Sequence, residues 1–190
     1  MSATLLIPGK AKMPFIREYS EGELPKEDRL VIPARKSPIE TALHETLHAV
    51  ILRLDGLDIA DVIETDDAVW TRLVEPQKYT VAALMAPEVY MKLHEIEFTD
   101  QSVSSDRNAV AGCIRPAAVE DIRRQNRALL ENIFQCPDVR VAICVLSARM
   151  DIELREHKVM HGNFIHEIID PILTHSLYAA DLRKKLNRVD

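Results

Sequence analysis

Ser37-Pro38-Ile39-Glu40-Thr41-Ala42-Leu43-His44-Glu45-Thr46-Leu47-His48-Ala49-Val50-Ile51-Leu52-Arg53-Leu54-Asp55-Gly56 decides the reading of this chain. It opens as a capping box: Ser at the cap, Pro at the first helical position, Glu three residues after the cap. Leu43, Leu47, Val50 and Leu54 recur at helical spacing. Asp55-Gly56 supplies a C-terminal stop. The pattern predicts a helix from Pro38 to Leu54. Inside it lies His44-Glu45-Thr46-Leu47-His48, an H-E-x-x-H sequence. Residues four apart stand one turn above each other, so both imidazoles leave the same face. Glu45 stands beside them as a proton acceptor. Two ring nitrogens and a carboxylate base are the usual components of a zinc hydrolase site. The plain alternative is a pair of half-buried histidines satisfied by carbonyls or water. At this His and Glu content the pentapeptide arises by chance roughly 0.02 times, and the well-delimited helix adds weight.

Outward from the helix, Ile59 to Glu64 and Ala68 to Val74 are rich in β-branched residues. Thr65-Asp66-Asp67 separates them, which predicts a β-hairpin with Trp70 on one face as a packing residue. A second helix is expected from Pro76 to about Glu95, with Val81, Leu84, Met85, Val89 and Leu93 in a stripe and Pro87 as a kink. Phe98 to Ser102 reads as a polar connection, and Ser104-Ser105-Asp106 as the next helix start. Further helices are expected from Pro116 to Phe134, from Pro137 to a stop at Gly162, and from Asn163 to Leu186. The fold class is mainly α with a small β-hairpin. Residues 37–190 form one domain, preceded by an extended arm over 1–36, where Leu30 to Pro33 suits a short edge strand.

Composition bounds the function. With 190 residues and only 5 Gly, one largely helical domain is favoured over a Gly-rich all-β fold. The net charge of −6 argues against binding nucleic acid or an acidic membrane. The basic run Arg183-Lys184-Lys185 with Arg188 suits the end of a helix. Cys113, Cys136 and Cys144 are odd in number and lack a C-x-x-C pair, which points to reduced thiols. No signal peptide or membrane span is legible. The expectation is a cytoplasmic, soluble protein that binds neither nucleic acid nor membrane.

Catalytic zinc sites keep three protein ligands, so the chain must supply a third. The metzincin continuation is missing after His48. Asp106 at the expected helix start is one candidate, with plain N-capping as its ordinary role. Glu88 or Glu95 is a second, with a solvated helix surface as the ordinary role. His157, His161 and His166 form a third group; His157 and His161 are four apart but have no acidic base between them.

His44-Glu45-Thr46-Leu47-His48-Ala49, Ala82-Ala83-Leu84-Met85-Ala86-Pro87-Glu88 and Ser104-Ser105-Asp106 together resemble the peptidase domain of the FtsH-type ATP-dependent zinc metalloproteases. That family pairs H-E-x-x-H-A with a distant Asp ligand. The resemblance spans roughly His44 to Gly112. It implies a helical, zincin-like peptidase domain with Zn2+ on His44, His48 and Asp106, a structural Glu88, and Glu45 as general base towards a metal-activated water. The chain departs from the family in lacking a Walker A sequence and a membrane span, and in placing Pro87 where the family has Ala or Gly. A stand-alone relative acting on peptides or unfolded segments is implied, and the hairpin strand from Ala68 to Val74 suits β-addition of substrate. The competing expectation is a non-catalytic interaction protein that keeps the fold, with the charged helix faces of 116–134 and 163–186 serving partner contacts or homo-oligomerisation.

Overall fold

The computed structural model describes residues 38–65, 68–75, 80–98, 100–114 and 118–174. The arm over 1–36, Ser37 of the capping box and the basic run near the C-terminus lie outside them. Within them the chain is mainly helical. It runs α1 (Pro38–Leu54), β1 (Ile59–Glu64), β2 (Val69–Leu73), α2 (Val81–Leu93), α3 (Asp100–Cys113), α4 (Val119–Gln135), α5 (Pro137–His157), β3 (Val159–His161) and α6 (Gly162–Thr174). No helix among the described residues is long and apolar enough to cross a membrane.

α1 occupies the span expected of it. Its end is a Schellman motif: the Leu57 N–H donates to Leu52 C=O and the Gly56 N–H to Arg53 C=O, with Gly56 at φ 82°. The helix is not one-faced, as the stripe suggested. Ala42, Leu47, Ala49, Val50, Ile51, Leu52 and Leu54 are all fully buried, whereas Leu43 is only partly so. The run Ala49-Val50-Ile51-Leu52 is apolar on every side, and α5, α2, α6 and the sheet cover it. Arg53 fastens its last turn, donating to both carboxylate oxygens of Asp170 on α6 at 3.0 and 2.7 Å.

The expected hairpin forms, but it belongs to a three-stranded antiparallel sheet in the order β2-β1-β3. The sequence pattern gives no sign of β3. α5 does not run on to Gly162: Lys158 turns left-handed at φ 61°, its N–H donates to Leu154 C=O, and the chain enters β3. Gly162 therefore opens α6 rather than closing α5. A β-carbon on Gly162 would lie 1.8 Å from Ile59 C=O, so only glycine lets α6 approach β1 so closely. That approach brings His166 Nε2 to within 3.2 Å of the Ile59 N–H, whose hydrogen bond it accepts. Val62 pairs with Thr71 on one side and Met160 on the other, and all three are buried on the inner face. Trp70, expected to pack, is 44% exposed. Strand alternation puts it opposite to Thr71.

α2 starts at Val81 with Thr80 as its N-cap, and residues 76–79 lie outside the description. α3 corrects the sequence reading most. It begins at Asp100, so Asp106 sits mid-helix and is not a cap. Asp100, Gln101 and Ser102, read as the end of a polar connection, belong to its first turn. Val103 and Val110 are buried, and Asp106 lies between them at three and four residues' spacing, on the same inward stripe. The expected starts of the next two helices meet different outcomes: Pro116 lies outside the described residues, and Pro137 is the first residue of α5.

Candidate metal centre

α1 delivers His44 and His48 one turn apart and buried, α3 delivers Asp106, and β2 delivers Thr71. His44 Nε2 is 3.1 Å from His48 Nε2. Asp106 Oδ2 is 3.1 Å from His44 Nε2 and 3.5 Å from His48 Nε2. Among the described residues this is the group of three or more His, Cys, Asp or Glu side chains placed to hold one metal ion.

The donor set fits a divalent ion such as Zn2+. Tetrahedral zinc with bonds of about 2.0–2.1 Å separates neighbouring ligand atoms by about 3.3 Å. The triangle of 3.1, 3.1 and 3.5 Å is one face of such a tetrahedron. Asp106 Oδ2 is a buried oxygen with no hydrogen-bond partner, despite its nearness to both rings. A buried carboxylate oxygen is costly unless a cation completes it, which in the metal-free chain is the protonated His48 ring and in a loaded one would be the metal. The His48 tautomer suits ligation. Its Nδ1 lies 2.8 Å from Ala83 C=O. A carbonyl only accepts, so Nδ1 carries a proton, and once Nε2 gives up its own the lone pair faces the triangle. His44 Nδ1 has no hydrogen-bond partner among the described residues.

Glu45 is also buried. Its Oε1 is 4.0 Å from His44 Nε2, and its Oε2 accepts a hydrogen bond from Thr71 Oγ1 at 2.8 Å. Sequence reasoning misses Thr71. The signal is the alternation Val69, Thr71, Leu73, which sends its hydroxyl to the inner face. A cleft of about 350 Å³ opens beside Asp106, between α2, α3 and α4, lined in part by Met85, Val89, Arg107, Arg123 and Arg127. Of the three ligand-set residues, Asp106 alone lines it.

The other ligand candidates are placed elsewhere. Arg107 Nε and Nη2 donate to the two oxygens of Glu88 at 2.9 and 3.0 Å, and Lys92 also pairs with it. Those cations hold the Glu88 carboxyl down at about 2 and tie α2 to α3 next to Asp106. Glu95 is exposed, in a left-handed turn after α2. His157 is exposed at the end of α5, near Glu153 and Glu156. His161 is exposed on β3, so the four-residue spacing from His157 does not lie on one helix. His166 accepts from Ile59 N–H. Cys136 is a buried free thiol and Cys144 an exposed one. Neither belongs to the ligand group.

The metal-free site has its own electrostatics. Burial pulls the His48 imidazole down, but the Asp106 carboxylate beside it and Glu45 outweigh burial and raise it to about 9. Asp106 in turn is held far below the usual carboxylate range by the two histidines, against the opposing effect of burial. A ring whose folded pKa lies above its ordinary 6.5 adds stability that is full below pH 6.5 and is lost as pH rises through about 9. The melting temperature of chelator-treated protein should therefore fall between those values. Ligation must displace the same proton, so metal affinity should weaken about tenfold per pH unit below 9. Titrations with Co2+ at stepped pH would read the slope, and a flat profile would remove His48 from the ligand set.

No protein-family model matches this chain, and no curated protein or solved structure does either.

Proposed function

We propose that this chain is a zinc-dependent metallopeptidase with a zincin-like helical domain, in which His44, His48 and Asp106 hold the metal. The observation that carries the reading is the convergence of His44 Nε2, His48 Nε2 and Asp106 Oδ2, at 3.1–3.5 Å from one another, around an unsatisfied buried carboxylate oxygen. Zn2+ in such a ligand set supplies Lewis acidity, acidifying water and polarising a carbonyl. The protein's own part is proton transfer and orientation. Glu45 Oε1 faces the ligand triangle and takes the proton of the attacking water, then passes it to the leaving amine. Thr71 Oγ1 holds the other carboxylate oxygen, so the base keeps one orientation.

Peptide substrates are favoured by the position of β2. It is an edge strand of the sheet, and Thr71 on it touches the base. An extended chain added along that edge would run past Glu45, held by backbone hydrogen bonds that accept any sequence. Unfolded segments and tails suit such an edge better than folded proteins, which do not present extended backbone.

The test is metal content joined to hydrolysis. The purified full chain is expected to bind one Zn2+ and to melt about 10 °C higher in saturating zinc than after chelation. It should cleave denatured casein, stop on chelation and recover with zinc. A second reading, a non-catalytic interaction protein with the same fold, is favoured by one observation. α5 exposes Val141, Val145 and Ile152 on one side, at 50, 46 and 42%. A chain that binds no zinc and gains no stability from it would be that protein.

A further inference from the structure

α2 carries Pro87 in its interior, and the residue four positions back is Ala83. In an α-helix the N–H of residue 87 would donate to the carbonyl of residue 83. Proline has no N–H, and its ring crowds that carbonyl away from the helical ladder. The Ala83 oxygen instead lies 2.8 Å from His48 Nδ1, and both groups are buried. The proline that interrupts one helix therefore stands one turn from the hydrogen bond that orients a ring on another. α1 and α2 pack directly against each other, so this bond joins two core helices.

We infer that Pro87 is a positioning residue for the metal centre: by withholding an N–H from Ala83 C=O, it leaves that carbonyl to His48 Nδ1. This rests on the metal reading above. The consequence is an asymmetry within the motif. The bond keeps a proton on His48 Nδ1 and holds the ring in one orientation, with Nε2 aimed at His44 and Asp106. His44, whose Nδ1 has no partner among the described residues, has no equivalent anchor. An alanine at position 87 would restore the helical donor, draw the Ala83 carbonyl back into line and contest the bond to His48.

Three full-length chains test this: wild type, Pro87→Ala, and a variant with lactic acid at position 87. The lactic acid variant forms a backbone ester that lacks the N–H without restoring the ring. The first readout is the His48 Nδ1 proton in the metal-free chains, followed by 15N NMR and solvent exchange. The second is the Co2+ dissociation constant from the visible absorption of the bound ion. A slowly exchanging Nδ1 proton is expected in wild type and in the ester, and not in Pro87→Ala. Co2+ affinity should drop about 10–100-fold in Pro87→Ala, as when the partner of a ligating His is lost, and stay near wild type in the ester. Pro87→Ala behaving like the ester, in either direction, overturns the inference, because the N–H is then irrelevant. So does a wild-type ring protonated on Nε2 alone. A wild type that binds no Co2+ ends the metal reading instead, and the proton comparison still decides the role of Pro87.

Discussion

Glu45→Gln is expected to keep metal at wild-type affinity and to lose hydrolysis by about 10²–10⁴-fold, the usual contribution of a positioned general base. Glutamine matches glutamate in shape, and its carbonyl oxygen can still accept from Thr71 Oγ1, now at 2.8 Å from Glu45 Oε2. The ligand atoms lie on His44, His48 and Asp106, which the substitution leaves in place. Only the capacity to take a proton disappears. Paired measurements of zinc stoichiometry and casein cleavage separate these effects. A Glu45→Gln chain that cleaves at the parent rate would remove Glu45 from the chemistry, whatever its metal content.

Asp106→Ala should weaken metal binding by more than the roughly 10–100-fold typical of losing a ligand's supporting partner, because a ligand itself is gone. Two imidazoles one turn apart would remain, a weaker chelate with two open positions. The substitution also removes the anion that raises the His48 ring, so the metal-free variant should lose the decline in melting temperature between pH 6.5 and 9. Both readouts come from one protein: a Co2+ titration and a series of melts. Asp106→Asn is the companion, since it keeps an oxygen but not the charge. Unchanged zinc affinity in the alanine variant would show that the third ligand lies elsewhere in the chain.

Local chemistry is readable where it is dense. The α1 boundaries follow from a Pro near the start and a Gly at the stop, and the structure closes that stop with a Schellman pair. The two hairpin strands follow from β-branched runs. The errors share a cause: each missed element is held by something distant in sequence. β3 is three residues long and exists because β1, about a hundred residues earlier, offers an edge. The first turn of α3, Asp100-Gln101-Ser102-Val103, has too little apolar periodicity to announce a helix; packing of Val103 and Val110 organises it. The local pattern puts Asp106 at a cap, where its carboxylate would meet backbone N–H groups. Mid-helix, it has no such donors, and that is why its oxygen is left for the histidines. Thr71 and Ala83 reach α1 through contacts that no local pattern encodes.

Gly162 against Ile59, and β3 against β1, close a loop of about a hundred residues around the helix that bears the histidines. α1 lies under α5 as well as under α2, so either half of the chain alone would leave it wet along one flank. Such far-separated pairings are slow to form, because chain entropy is lost before the contacts repay it. The pentapeptide is compact in sequence, yet what holds its rings in place comes from α2, α3, β2 and α5, far along the chain. A nascent chain halted before α5 would carry the motif without the scaffold that aims it, and so would make no competent centre during synthesis.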